Sequence, residues 1–185
     1  MTDLLAALES SSIAAALRNS LYLFPFIESL HVVGLGFVFG TIAIVDLRLL
    51  GLASRRRPFT RVTADVLKWT WLAFALTVAT GLLMFTTRAD VYFHNVYFRL
   101  KMGLLALAGV NMLVFELTTG RRAATWDHDE IPPRAGRVAA ALSLALWIGV
   151  IFMGRWIGFT TTRETPKTDP AAGEINIEDL LKGPR

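Results

Sequence analysis

The side chains that could carry chemistry are those out of place in apolar surroundings. Glu28 and His31 stand three residues apart in the run LYLFPFIESLHVVGLGFVFG, so on a helix they share one face. An imidazole there can ligate a metal or move a proton near neutral pH, and a nearby carboxylate can orient it. His94 precedes the run VYFRLKMGLLALAGVNMLVF, which opens with Arg99 and Lys101 and carries Asn111 at its middle. Arg155 falls near the end of the last apolar run. Ionisable groups in such segments are costly and mark function by default. At a common depth they would combine two histidines, one carboxylate and three cations, with Thr77, Thr80 and Met84 beside them.

The elements that must position these groups are membrane spans. The chain has 185 residues, 54% hydrophobic and 18% charged, with mean hydropathy +0.48, whereas a water-soluble chain carries about 25% charge. Apolar runs extend over residues 21–45, 69–87, 96–115 and 138–159. About twenty residues of helix cross a hydrocarbon core of roughly 30 Å, and an open sheet edge cannot be satisfied in lipid. The expected fold is all-α: a polytopic four-transmembrane-helix bundle over residues 21–160. A short amphipathic, interfacial N-terminal helix (residues 1–20) precedes it, and a polar C-terminal tail (residues 161–185) follows. Gly34 lies one turn beyond His31, and Gly36 and Gly40 form a small-xxx-small pair; such residues are expected to permit close helix contact and also to leave room for a flat macrocycle beside a histidine. Asp46 and Arg48 end the first span and are expected to pair or to cap it.

Orientation follows from the basic residues beside the spans. The first and third loops hold ten, including the run Arg55–Arg57, and the other side holds six. The positive-inside rule then places the first and third loops in the cytoplasm and both termini on the opposite side. Cysteine is absent, which excludes disulfides, iron–sulfur clusters and thiolate metal sites. No phosphate loop, zinc-protease motif or nucleic-acid signature occurs, and no catalytic residue is assigned.

Haem b held between helices is the chemistry these residues suit best. His31 is the expected axial ligand. His94, Met102, Met153 or Lys101 would be the second. Arg99, Lys101 and Arg155 would hold the propionates, Glu28 would orient the ligand or take protons, and Asn111 would serve either the cofactor or an interhelical hydrogen bond. The function expected is electron transfer near the outer leaflet, to or from a quinone or a redox partner protein. Copper on His31, His94 and the methionines is the alternative, since thioether and imidazole suit Cu(I). A third reading is a non-catalytic subunit, in which Glu28 pairs with Lys101 or Arg155 and the tail recruits a partner or a second copy.

The segment LYLFPFIESLHVVGLGFVFGTIAIVDLRLLG, with FRLKMGLLALAGVN and MGRWIGF, resembles an uncharacterised family of small bacterial inner-membrane proteins. The likeness runs from Leu21 to Phe159 through Glu28-x-x-His31, Asp46-Leu47-Arg48, Phe98-x-x-Lys101, Asn111 and Gly154-Arg155. More loosely, the pattern is similar to the copper-resistance D membrane domain, which implies copper handling. It is also similar to the four-helix membrane protoporphyrinogen oxidase, which has a first-helix histidine, a third-helix lysine and haem b. His31 and Lys101 match that pair. The histidine that follows the lysine in that enzyme has no counterpart, since residues 104–115 contain none.

Overall fold

The computed structural model describes residues 2–129 and 131–161. Among them every regular element is helical: α1 (Thr2–Glu9), α2 (Ser12–Asn19), α3 (Leu23–Leu49), α4 (Phe59–Thr87), α5 (Ala89–His94), α6 (Val96–Leu117), a 3₁₀ turn at Gly120–Arg122, α7 (Ala123–Trp126) and α8 (Arg134–Thr161). Four of these, α3, α4, α6 and α8, are long and apolar enough to cross a membrane. Their outward faces are apolar too: Val32, Phe37, Leu72, Val110 and Phe152 are all exposed. A helix apolar all round is built for lipid.

The expected elements are present with shifted ends. The second span begins at Phe59, ten residues before the uncharged stretch starting at Trp69, because Pro58 precedes its first turn. The expected N-terminal helix is two helices, broken where Ser11 turns extended and its side chain caps α2 by accepting from the Ala14 N–H. Both dock on the bundle. Leu5, Ala14 and Leu17 are buried, Arg18 donates to the Thr87 carbonyl at 3.1 Å and the Glu9 carboxylate accepts from the Asp90 N–H at 2.9 Å. The tail and its apolar residues Ile175, Ile177, Leu180 and Leu181 lie outside the described residues.

Packing is uneven. α3 lies closely along α4 and α6 along α8, and the two pairs join where α3 meets α8. The buried core at that junction is Val38, Ala73, Ala108, Leu146, Trp147 and Val150. A second buried group, Leu49, Phe59, Ala123, Trp126 and Ala140, closes the end that carries the first and third loops, here called the arginine end. The opposite end, with His31, is the histidine end.

At the arginine end, α3 stops on Gly51, whose φ of 72° suits a residue without Cβ. The Gly51 N–H donates to the Arg48 carbonyl and the Leu52 N–H to the Leu47 carbonyl, a Schellman stop. Arg48 was expected to pair with Asp46 or cap its own helix. It is instead fully buried and donates to the carbonyls of Arg57 at 2.9 Å, Asp129 at 3.0 Å and Asp127 at 3.4 Å, tying both loops together. Asp127 in turn caps α4 from another part of the chain, accepting from the Thr60 N–H and hydroxyl, each at 2.8 Å. Slight desolvation pushes the Asp127 carboxyl up, but those bonds, nearby His128 and the Phe59 N–H outweigh it and hold it below the usual carboxylate range.

Candidate functional site

His31 sits two turns into α3 on the face that meets α4. Its Nδ1 lies 2.9 Å from the Thr77 carbonyl and 3.1 Å from the Thr80 hydroxyl. A carbonyl can only accept, so Nδ1 carries the proton. Thr80 Oγ1 donates to the Leu76 carbonyl at 2.7 Å and so accepts from Nδ1. In the neutral ring the lone pair is therefore on Nε2, which has no hydrogen-bond partner among the described residues. The Thr77 carbonyl belongs to the α4 backbone, which makes the ring's orientation a consequence of helix packing.

That packing depends on two glycines. A Cβ on Gly81 would lie 3.0 Å from His31 Cε1, and one on Gly34 would lie 2.6 Å from Thr77 Oγ1. These are the contact glycines of the α3–α4 seam. The expectation for Gly36 and Gly40 is corrected: a Cβ on either meets nothing within 4 Å. Both point away from α4, because Gly34 sets the facing side of the helix and positions two and six residues on fall off it.

Lys101 of α6 is an expected partner that the fold brings toward the ring. It lies within electrostatic reach of the His31 ring, half-buried, with its Cε and Nζ 3.8 Å from where a Cβ on Gly154 would sit. Above both, Phe85 of α4, Tyr92 of α5 and Phe98 of α6 form an aromatic triangle with centroid separations of 6.3, 5.5 and 6.1 Å. Phe85 follows Gly81 by one turn and Phe98 precedes Lys101 by one turn, so the triangle covers the histidine end of this region. Asn95 sets the start of α6. Its Oδ1 accepts from the N–H groups of Tyr97 and Phe98, and its Nδ2 donates to Thr160 Oγ1 at 2.9 Å, tying α6 to α8. No motif in the sequence marks this role, although asparagine before an apolar run is an N-cap signal.

The other expected residues are placed differently. Glu28 is exposed and makes no ion pair with Lys101 or Arg155 among the described residues. It lies near Tyr92, whose hydroxyl is pushed up by burial, held back by Arg88 and pushed further by Glu28. His94 is exposed and turned to Asp90, with Nδ1 3.3 Å from its carboxylate and 3.0 Å from its carbonyl. Arg99 is exposed. Arg155 is exposed and stands over the Phe159 ring at 5.0 Å. Asn111 lies ten residues beyond Lys101, about 15 Å along the helix. Its Nδ2 donates to the Ala139 carbonyl of α8 at 2.9 Å, which is the interhelical bond offered as its alternative role. Among the described residues no three His, Asp or Glu side chains gather as a metal site.

No curated protein and no solved structure matches the chain. The family comparison shows neither the likeness to the copper-resistance D domain nor that to the protoporphyrinogen oxidase. The model that does match covers residues 14–160, most of the chain and all four apolar helices, and on that coverage the chain belongs to the family of unknown function DUF6644.

Proposed function

We propose that this protein binds haem b between its helices at the histidine end and passes electrons there. The observation that carries the reading is the state of His31: Nδ1–H is held by the Thr77 carbonyl and Thr80 hydroxyl, and Nε2 has no partner among the described residues. Ligating histidines are oriented in this way, with one nitrogen fixed by a carbonyl or carboxylate so that the other faces the metal with its lone pair. The chain's residues divide the remaining work. Lys101, within reach of the ring, and Arg99 and Arg155, exposed at the same end, supply cations for the propionates. Phe85, Tyr92 and Phe98 give flat apolar surface against which a macrocycle edge can pack. When bound, the haem would supply one-electron chemistry at a potential set by its ligands and burial. A quinone or a redox partner protein would exchange the electron. The copper alternative has less behind it, since His94 spends its Nδ1 on Asp90 away from any gathered donor set.

The test is an optical spectrum of the full chain, expressed in a haem-replete bacterium and purified from its membranes. We expect a Soret band, a reduced-minus-oxidised difference spectrum of b type and one haem per chain, all lost in His31→Ala and retained in His94→Ala. A wild-type protein that shows no Soret band and takes up no added haem refutes the proposal.

A further inference from the structure

A different part of the molecule carries a second kind of site. At the arginine end, a recess of about 400 Å³ is lined by Leu50 from the end of α3 and by Arg134, Arg137, Val138 and Ala141 from the start of α8. The four α8 residues follow the spacing i, i+3, i+4, i+7 and so form one stripe. Along that stripe the chemistry changes with depth. Two guanidiniums stand at the mouth. Val138 and Ala141 follow within about 10 Å toward the middle of the span. Arg134 and Arg137 are both exposed and have no carboxylate partner among the described residues. Arg57, in the same end of the molecule, does have one, in Asp65 at 3.1 Å. The recess therefore offers two cations with no carboxylate partner among the described residues, beside an exposed apolar stripe of Val138 and Ala141 on a lipid-facing helix.

We propose that this recess is a binding site for one anionic phospholipid, its phosphate on Arg134 and Arg137 and the upper part of an acyl chain against Leu50, Val138 and Ala141. Guanidiniums pair with phosphate through two parallel N–H donors, and basic recesses between transmembrane helices suit anionic headgroups. A soluble phosphate would use the mouth and leave the apolar stripe uncovered. A zwitterionic lipid would cover the stripe and bring a competing ammonium to the mouth. Charge and depth are matched together by an anionic amphiphile.

The experiment is native mass spectrometry of the full chain released from detergent, with phosphatidylglycerol or phosphatidylcholine of identical acyl chains, and in separate arms with glycerol phosphate or inorganic phosphate. Thermal unfolding is followed in parallel. The expected result is a retained one-to-one phosphatidylglycerol adduct and a raised unfolding temperature. Phosphatidylcholine and the two soluble phosphates should produce neither. The double variant R134Q/R137Q should bind phosphatidylglycerol at least about tenfold more weakly, as loss of two cations near a headgroup implies. The charge-matched variant R56Q/R61Q, altered at two exposed arginines outside the recess, should bind as wild type and so separates this site from general attraction. Equal retention of the two lipids, equal protection by a soluble phosphate, or equal losses in both double variants would overturn the assignment. A wild-type affinity in folded R134Q/R137Q would do the same.

Discussion

Replacing Gly34 with alanine probes the seam that orients His31. The new Cβ would stand 2.6 Å from Thr77 Oγ1, about 0.8 Å inside the 3.4 Å at which ordinary contact begins. Two escapes exist. Thr77 can rotate its hydroxyl away, giving up its 2.8 Å bond to the Ala73 carbonyl, a loss of about 1 kcal/mol. Otherwise α3 and α4 must part by several tenths of an ångström, which strains the His31–Thr77 bond and the packing around Val38. Overfilling a packed contact costs about 1–3 kcal/mol, a factor of roughly 5 to 150 in the unfolding equilibrium. The offending atom is a side-chain oxygen, and the next neighbours of the new Cβ, Ala73 O and Thr77 N, lie at 3.6 Å. Thr77→Ala should therefore rescue, leaving G34A/T77A close to T77A alone, with a coupling of at least about 1 kcal/mol. Gly36→Ala, with open space at its Cβ, should be neutral or stabilise by up to about 1 kcal/mol through helix propensity. Tryptophan fluorescence during titration from mild detergent into dodecyl sulfate reads all four variants. A wild-type midpoint for G34A, or no rescue by T77A, refutes the placement of this seam.

The arginine end gives two further expectations. Arg48→Met removes charge-assisted bonds to the Arg57 and Asp129 carbonyls and a longer one to Asp127. At about 1.5–3 kcal/mol each for the two short ones, less the desolvation that the buried guanidinium no longer suffers, the net loss should be about 2–4 kcal/mol; faster tryptic cleavage at Arg55–Arg57 with a lowered unfolding midpoint checks it, and unchanged values refute it. Asp127 has a folded-state pKa below its unfolded one, so its contribution is present above the ordinary Asp value of about 3.9 and is lost as pH falls through the lower folded value. Because the bonds this carboxylate makes to Thr60 are exposed to water, the effect should stay well under about 1 kcal/mol; Asp127→Asn should remove that part of the acid-side slope, and an identical slope in wild type and variant speaks against the cap.

The four spans were legible because lipid imposes a demand that composition alone answers: long uncharged runs and no exposed backbone. His31 was legible as a site candidate for the same reason, since an imidazole amid Val, Leu and Phe has to be explained. Which residues meet it was less so. Thr77 and Thr80 could be assigned to the same half of the bilayer, but that His31 bonds a backbone carbonyl is invisible in a side-chain pattern. Glycine spacing misled at Gly36 and Gly40. A pair four apart marks a possible contact, yet on a helix apolar all round nothing in the sequence says which stripe faces a neighbour, and Gly34 turned out to lie on that stripe. Depth misled for the charges. Glu28, His31, Arg99, Lys101 and Arg155 share an end, but their angles around the helix axes differ. His31 and Lys101 turn toward the bundle, whereas Glu28, Arg99 and Arg155 turn outward. The Arg48–Asp127 network joins residues about eighty apart, a distance over which periodicity carries no information.

His31 has two separable tasks, and one substitution divides them. Its Nδ1–H pins α3 to α4, and its Nε2 lone pair is the proposed ligand. Asparagine places an amide N–H close to where Nδ1 sits and carries nothing at the Nε2 position. His31→Asn should therefore keep the bond to the Thr77 carbonyl, now 2.9 Å from Nδ1, and unfold with the midpoint of haem-free wild type. His31→Ala should lose about 0.6–1.7 kcal/mol, the range for single interhelical hydrogen bonds inside membranes. If the ring serves only to pin helices, no spectroscopic property can differ between wild type and His31→Asn. If Nε2 binds iron, His31→Asn is as stable as haem-free wild type, less stable than the haem-loaded protein, and has no Soret band. A stable His31→Asn protein with a full haem complement would remove His31 from the ligand set while leaving the α3–α4 seam intact, so the fold and the function are refuted by different results.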